Sequence, residues 1–217
     1  MTKKSKSSKI KSGLVVAIPL ENGHGYIYGK IVDLCDFAEL DLSNTFHLLV
    51  YTYNYTTKSK DEFRFDEFNK SQPFVGGMFV LDLEPVVIKN IWTSVAETHL
   101  NDFEKRVPDF RGFSSNIFAV HKYEKDADNW NYFENGRPLK RIKASYDEVK
   151  HLEGSTALSH DLVEKRLSME YLKRQGLSVE GTYDLEEWEE LVVYYNMLFT
   201  TRFNEVPDSL KGKVNKN

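Results

Sequence analysis

The chain has 217 residues, of which 41% are hydrophobic and 13% aromatic, enough for a packed core and too apolar for wholesale disorder. Its formal charge of -4 hides an asymmetry: Lys3, Lys4, Lys6, Lys9 and Lys11 lie in the first twelve residues, leaving 24 basic against 33 acidic residues in the rest, a net -9. An acidic body disfavours phosphate binding and favours a basic partner through long-range steering, although solubility alone explains it equally well.

Residues 1–12 read as a disordered basic leader. The lysines followed by GLVVAIPL imitate a signal peptide, but the apolar run is short, holds Pro19 and lacks a small-residue cleavage site. No stretch approaches the roughly 20 apolar residues that cross a bilayer. Cys35 is the single cysteine, which excludes an internal disulfide, and the chain reads as cytoplasmic.

Residues 13–143 read as β-rich. Asn22-Gly23, set between two apolar runs, predicts a hairpin with a type I′ turn. That turn places Leu20 opposite Gly25, Ile18 opposite Ile27 and Val16 opposite Gly29. Pro19 marks its strand as an edge or a bulge at that point. A second β-run, NTFHLLVYTYNY, covers Asn44 to Tyr55, followed by the short FRF, by FVGGMFV, and by an apolar run interrupted at Glu84-Pro85. Strands at such short intervals suggest a bent sheet or small barrel. Asn135-Gly136 repeats the hairpin signal, and the basic run Arg137 to Lys143 reads as an exposed strand whose charges guard an edge.

Residues 144–206 read as a helical part packed on the same core, and 207–217 as a frayed tail. Ser145 and Glu148 form a capping box. A helix from Ser159 to Gln175 stops at Gly176 and carries apolar residues on two sides, so it is covered twice. A last helix starts at a cap on Asp184 and presents Leu185, Trp188, Leu191, Val192, Tyr195, Leu198 and Phe199 as one core-facing stripe. The fold class that follows is α+β: an N-terminal antiparallel sheet, barrel-like or strongly bent, with C-terminal helices packed on it.

The motifs of metal, phosphate and nucleophile chemistry are missing from the sequence: no C-x-x-C, H-E-x-x-H, G-x-S-x-G, P-loop or G-x-G-x-x-G occurs. The six histidines, His24, His47, His99, His121, His151 and His160, lack the spacing that puts two imidazoles on one metal. Cys35 could pair with one of them, but Asp33 and Asp36 disfavour its thiolate. The sequence therefore carries no sign of a catalytic residue, a metal or a cofactor. Two readings stand for Asp33, Asp36, Glu39 and Asp41: a solvated loop, or an acidic contact patch. The rings of YTYNY could stack bases, but without a basic groove beside them they read as sheet core.

The segment KSGLVVAIPLENGHGYIYGKIV resembles the opening of the immunity protein 26 family. The residues that carry the likeness are Gly13, Ile18, Pro19, Leu20, Gly23, Tyr26, Gly29, Lys30, Ile31 and Val32. Trp92, Phe110 and Arg111 of PDFR, and YFENG with Gly136 and Arg137, are similar to later landmarks. The resemblance implies a bacterial immunity protein that is encoded beside a polymorphic toxin and neutralises it stoichiometrically in the cytoplasm, without catalysis. The partner it implies is the cognate toxin domain, and an acidic body would suit a basic toxin such as a nuclease. On this reading the hairpin is scaffold. The alternative from a different class is a small-barrel module that binds nucleic acid or peptide.

Overall fold

The computed structural model describes residues 10–36, 47–113, 130–134 and 141–211. Strands β1 (Leu14–Leu20) and β2 (Gly25–Asp33) form the expected hairpin. Asn22 (φ 57°) and Gly23 (φ 71°) both occupy the left-handed region, as a type I′ turn requires. Leu20 faces Gly25, Ile18 faces Ile27 and Val16 faces Gly29. Strand β3 (Leu48–Thr57) pairs with the other side of β2 and ends near helix α1 (Phe65–Lys70). After it come the two-residue strand β4 (Met78–Phe79), helix α2 (Leu83–Ile88) and strand β5 (Thr93–Glu97). The five strands are antiparallel in the order β4-β3-β2-β1-β5. Pairing with β5 covers β1 only from Leu14 to Ala17, so Pro19 lies where β1 is an edge on that side.

This sheet is neither a barrel nor strongly bent. The close spacing of apolar runs that suggested closure arises because two of them are not strands: Phe65 opens α1, and Leu83 to Ile88 is α2, with Pro85 in a first turn that needs no donor from it. The sheet instead buries both faces flat against other layers. Val16, Ile18, Ile27, Ile31 and Val50 pack with Leu83, Val86, Trp92, Val163 and Leu167 on one side. On the other, Val15, Ala17, Tyr28, Val32, Leu49 and Tyr51 pack with Phe68, Phe79, Phe110 and Phe133. Two-sided burial explains why LVVAI is a continuous apolar run instead of an alternating one.

A second, mixed sheet has the order β8-β7-β6-β9, built from β6 (Phe110–Phe113), β7 (Trp130–Phe133), β8 (Arg141–Ala144) and β9 (Glu153–Gly154), with β6 and β9 parallel. The basic run reaches β8, which is an edge as expected. Asn135 and Gly136 lie outside the described residues. The strands on either side of them, β7 and β8, are antiparallel, with Phe133 facing Arg141.

Helix α3 (Tyr146–Val149) carries the capping box between Ser145 and Glu148. Helix α4 (His160–Arg174) starts after Ser159 and ends before Gly176 (φ 70°). It is covered twice, Val163 and Leu167 facing the first sheet and Met169 and Leu172 facing helix α5 (Trp188–Leu198). Helix α5 differs from the sequence reading. Asp184 closes a turn ahead of it, accepting the Glu186 amide at 3.0 Å, and the helix begins one turn later. Its burial is split: Val193 and Met197 meet α4, while Tyr195 and the following Phe199 meet Trp130. Trp188 and Leu198 are consequently exposed.

Candidate functional site

The acidic stretch begins where β2 ends. Asp33 is 5% exposed. Its amide donates to Ser12 Oγ at 2.8 Å, and its Oδ1 lies 2.9 Å from both the Cys35 amide and His47 Nδ1. The Leu34 amide donates to the His47 carbonyl at 2.9 Å, so the turn after β2 is tied to the residue that precedes β3. Burial pushes the Asp33 carboxyl up, but the His47 and Cys35 hydrogen bonds outweigh it and hold the group below the usual range. The hydrogen bond to Asp33 raises the His47 imidazole above its ordinary value against burial, and Glu84 and Asp36 add to this through space. Burial, followed by the charge of Asp33, pushes the Cys35 thiol up to about 11, as the flanking aspartates had suggested. A thiol held neutral in this way is a poor nucleophile.

Asp33 therefore uses its carboxylate inside the fold, while Asp36 is exposed. Glu39 and Asp41 lie outside the described residues. Leu48, the residue after His47, packs against the core cluster that holds Leu83 and Val86 of α2. Leu83 and Val86 of α2 point into the core, whereas Leu81, Ile88 and Ile91 are 53%, 58% and 43% exposed. Three exposed apolar side chains thus lie in or next to α2, the helix that also carries Glu84.

The remaining landmark residues are built into the scaffold. The Gly13 amide donates to the Ile31 carbonyl at 2.8 Å; Ile18 and Leu20 are core residues, and Pro19 faces Tyr26, itself packed against the aromatic face. Gly23 makes the turn, and Gly29 leaves room for Val50. Lys30 and Glu104, 3% and 0% exposed, form an ion pair at 2.9 Å. Tyr53 Oη donates to Glu104 at 2.5 Å, the Asn101 amide does so at 2.6 Å, and Lys30 also donates to the His99 carbonyl at 3.1 Å. Burial, then the charge of Glu104, pushes the Tyr53 phenol far above its ordinary value. Trp92 is fully buried and donates its indole N–H to Glu164 at 2.7 Å. Phe110 stacks on Phe79 with ring centroids 4.5 Å apart. Arg111 donates to the carbonyls of Phe199 and Asn196 and to Thr200 Oγ1, tying the second sheet to the end of α5.

The sequence reading missed Glu104, because nothing local marks a lone glutamate between Asp102 and Lys105 as buried. It also passed over α2 as a place for exposed apolar residues. The available signal was the spacing of Leu81, Pro85 and Ile88, which recur at four and three residues opposite Leu83 and Val86.

The described landmark residues are spent on the rigidity of the scaffold. The family model for immunity protein 26 matches residues 11–131, more than half of the chain, and the chain belongs to that family. Membership implies a toxin as its partner. No curated protein and no solved structure matches the chain. No helix among the described residues is long and apolar enough to cross a membrane.

Proposed function

We propose that this chain neutralises its cognate toxin by stoichiometric binding, acting as a preformed plug that turns nothing over. The observation that carries this reading is the family match, which spans the whole first sheet. A sheet packed on both faces suits the task, since ordering loops upon binding subtracts from affinity. The contact face in this proposal joins Leu81, Ile88 and Ile91 of the α2 region, as apolar anchors, to an acidic rim of Asp36 and Glu84 with Glu39 and Asp41 from the adjoining sequence. Apolar anchors inside a charged rim are the usual division of labour at protein interfaces. Asp33 is the base of this face and not part of its surface. A basic toxin, such as a nuclease, is the partner that the acidic body fits.

Burial of Tyr51 and Tyr53 in the sheet core counts against the nucleic-acid alternative, since of the YTYNY rings it leaves Tyr55, half-buried, for stacking. The test reverses Asp36, Glu39 and Asp41 to lysine while keeping Asp33. Protection of cells that express the toxin should be lost, with the circular dichroism spectrum and Tm unchanged. Full protection by this variant would remove the acidic rim from the contact.

A further inference from the structure

We propose that Asp33, Cys35 and His47 form a zinc site, with Cys35 Sγ, a His47 ring nitrogen and an Asp33 carboxylate oxygen as protein ligands and water in the fourth position. One ligand atom from each of the three lies within 4.8 Å of the other two. His47 Nδ1 and Asp33 Oδ1 are already 2.9 Å apart. Tetrahedral zinc, with N and O at about 2.0–2.2 Å and S at about 2.3 Å, sets its ligands roughly 3.3–3.8 Å from one another. The ion therefore requires only a small rearrangement at the end of one strand and the start of the next.

The backbone holds this arrangement in place. The amide of Leu34 is bonded to the His47 carbonyl, and the amide of Asp33 to Ser12 Oγ, so the ligands on either side of residues 37–46 are in register without a metal. Their chemistry selects the ion. A thiolate, an imidazole and a carboxylate suit zinc, whereas calcium and magnesium take oxygen ligands alone. Asp36 and Glu84 act on the same spot and add the negative potential that draws a cation. Binding would displace the thiol proton to solvent and clamp the end of β2 to the start of β3.

The inference does not rest on the toxin reading, because it is tested on the purified full chain alone. After treatment with chelator, titration with Zn²⁺ should show one ion per chain. Co²⁺ in its place should give a thiolate charge-transfer absorption. Cys35 is the only cysteine, so slower alkylation by iodoacetamide at saturating Zn²⁺ reports this site without any variant. Cys35→Ser should abolish the cobalt band, and His47→Gln should weaken Zn²⁺ binding by about tenfold or more. Absence of stoichiometric Zn²⁺ binding, or binding that leaves the alkylation rate unchanged or is unaffected by these substitutions, would overturn the proposal.

Discussion

Removing Lys30 and Glu104 from water carries a desolvation penalty of several kcal/mol per ion, which their contact offsets only because other groups complete the hydrogen bonding. Tyr53, Asn101 and the His99 carbonyl supply those bonds, so the pair anchors the chain after β5 to the middle of the first sheet. Glu104→Gln would leave a buried lysine without its counterion. A loss of about 3–5 kcal/mol in urea denaturation is expected, with part recovered in the double variant that adds Lys30→Met. A single-variant loss under about 0.5 kcal/mol, the usual range for surface substitutions, would contradict this role. Glu164 behaves differently. Burial raises its carboxyl above the ordinary value, with partial relief from the Trp92 indole. The folded state then binds more protons than the unfolded chain from the ordinary carboxyl range up to the folded value. The favourable contribution of Glu164 is present below that window and is lost as pH rises through it. Glu164→Gln has no such loss, so as pH rises above the ordinary carboxyl range it should gain stability relative to the parent chain. A relative loss over that rise would reverse the assignment.

At the scale of elements, the opening hairpin depends on how closely β2 lies under its neighbours. A Cβ built on Gly29 would sit 2.7 Å from Val50 Cγ2 and 3.1 Å from Ile18 Cδ1. Gly29→Ala should therefore cost about 1–3 kcal/mol through overpacking, and a neutral result in thermal or chemical denaturation would show that the sheet yields there. This hairpin, its register, the two-sided cover of α4 and the capping box before α3 were legible in the sequence because each depends on residues close in the chain. Asn-Gly dictates φ, Gly176 stops a helix, and alternating faces follow from period two. What was not legible depends on distant partners. The start and facing of α5 follow from its lying between α4 and Trp130, neither of which its own periodicity encodes. The apolar run over Leu83 to Ile88 suits a short buried strand as well as a helix with one exposed face, and only the packing of Leu83 and Val86 decides between them. The acidic stretch was legible as composition, but not as a buried Asp33 clasping His47 beside an exposed Asp36.

For the whole molecule, charge and shape divide the work of binding. On the proposed reading, the net -9 outside the first twelve residues would act at long range and set how quickly a basic partner arrives, whereas apolar contacts would set how slowly it leaves. Ile88→Asp should keep stability within about 0.5 kcal/mol yet weaken toxin affinity by about 2 kcal/mol or more, mainly through faster dissociation. Unchanged affinity would move the contact away from α2. The central claim, that the chain is a stoichiometric inhibitor, is tested most directly by titrating it into a fixed amount of the active toxin domain. Toxin activity should fall linearly to zero at one equivalent, with a 1:1 complex recovered by size-exclusion chromatography. No complex, or loss of toxin activity at a small fraction of an equivalent, would contradict it.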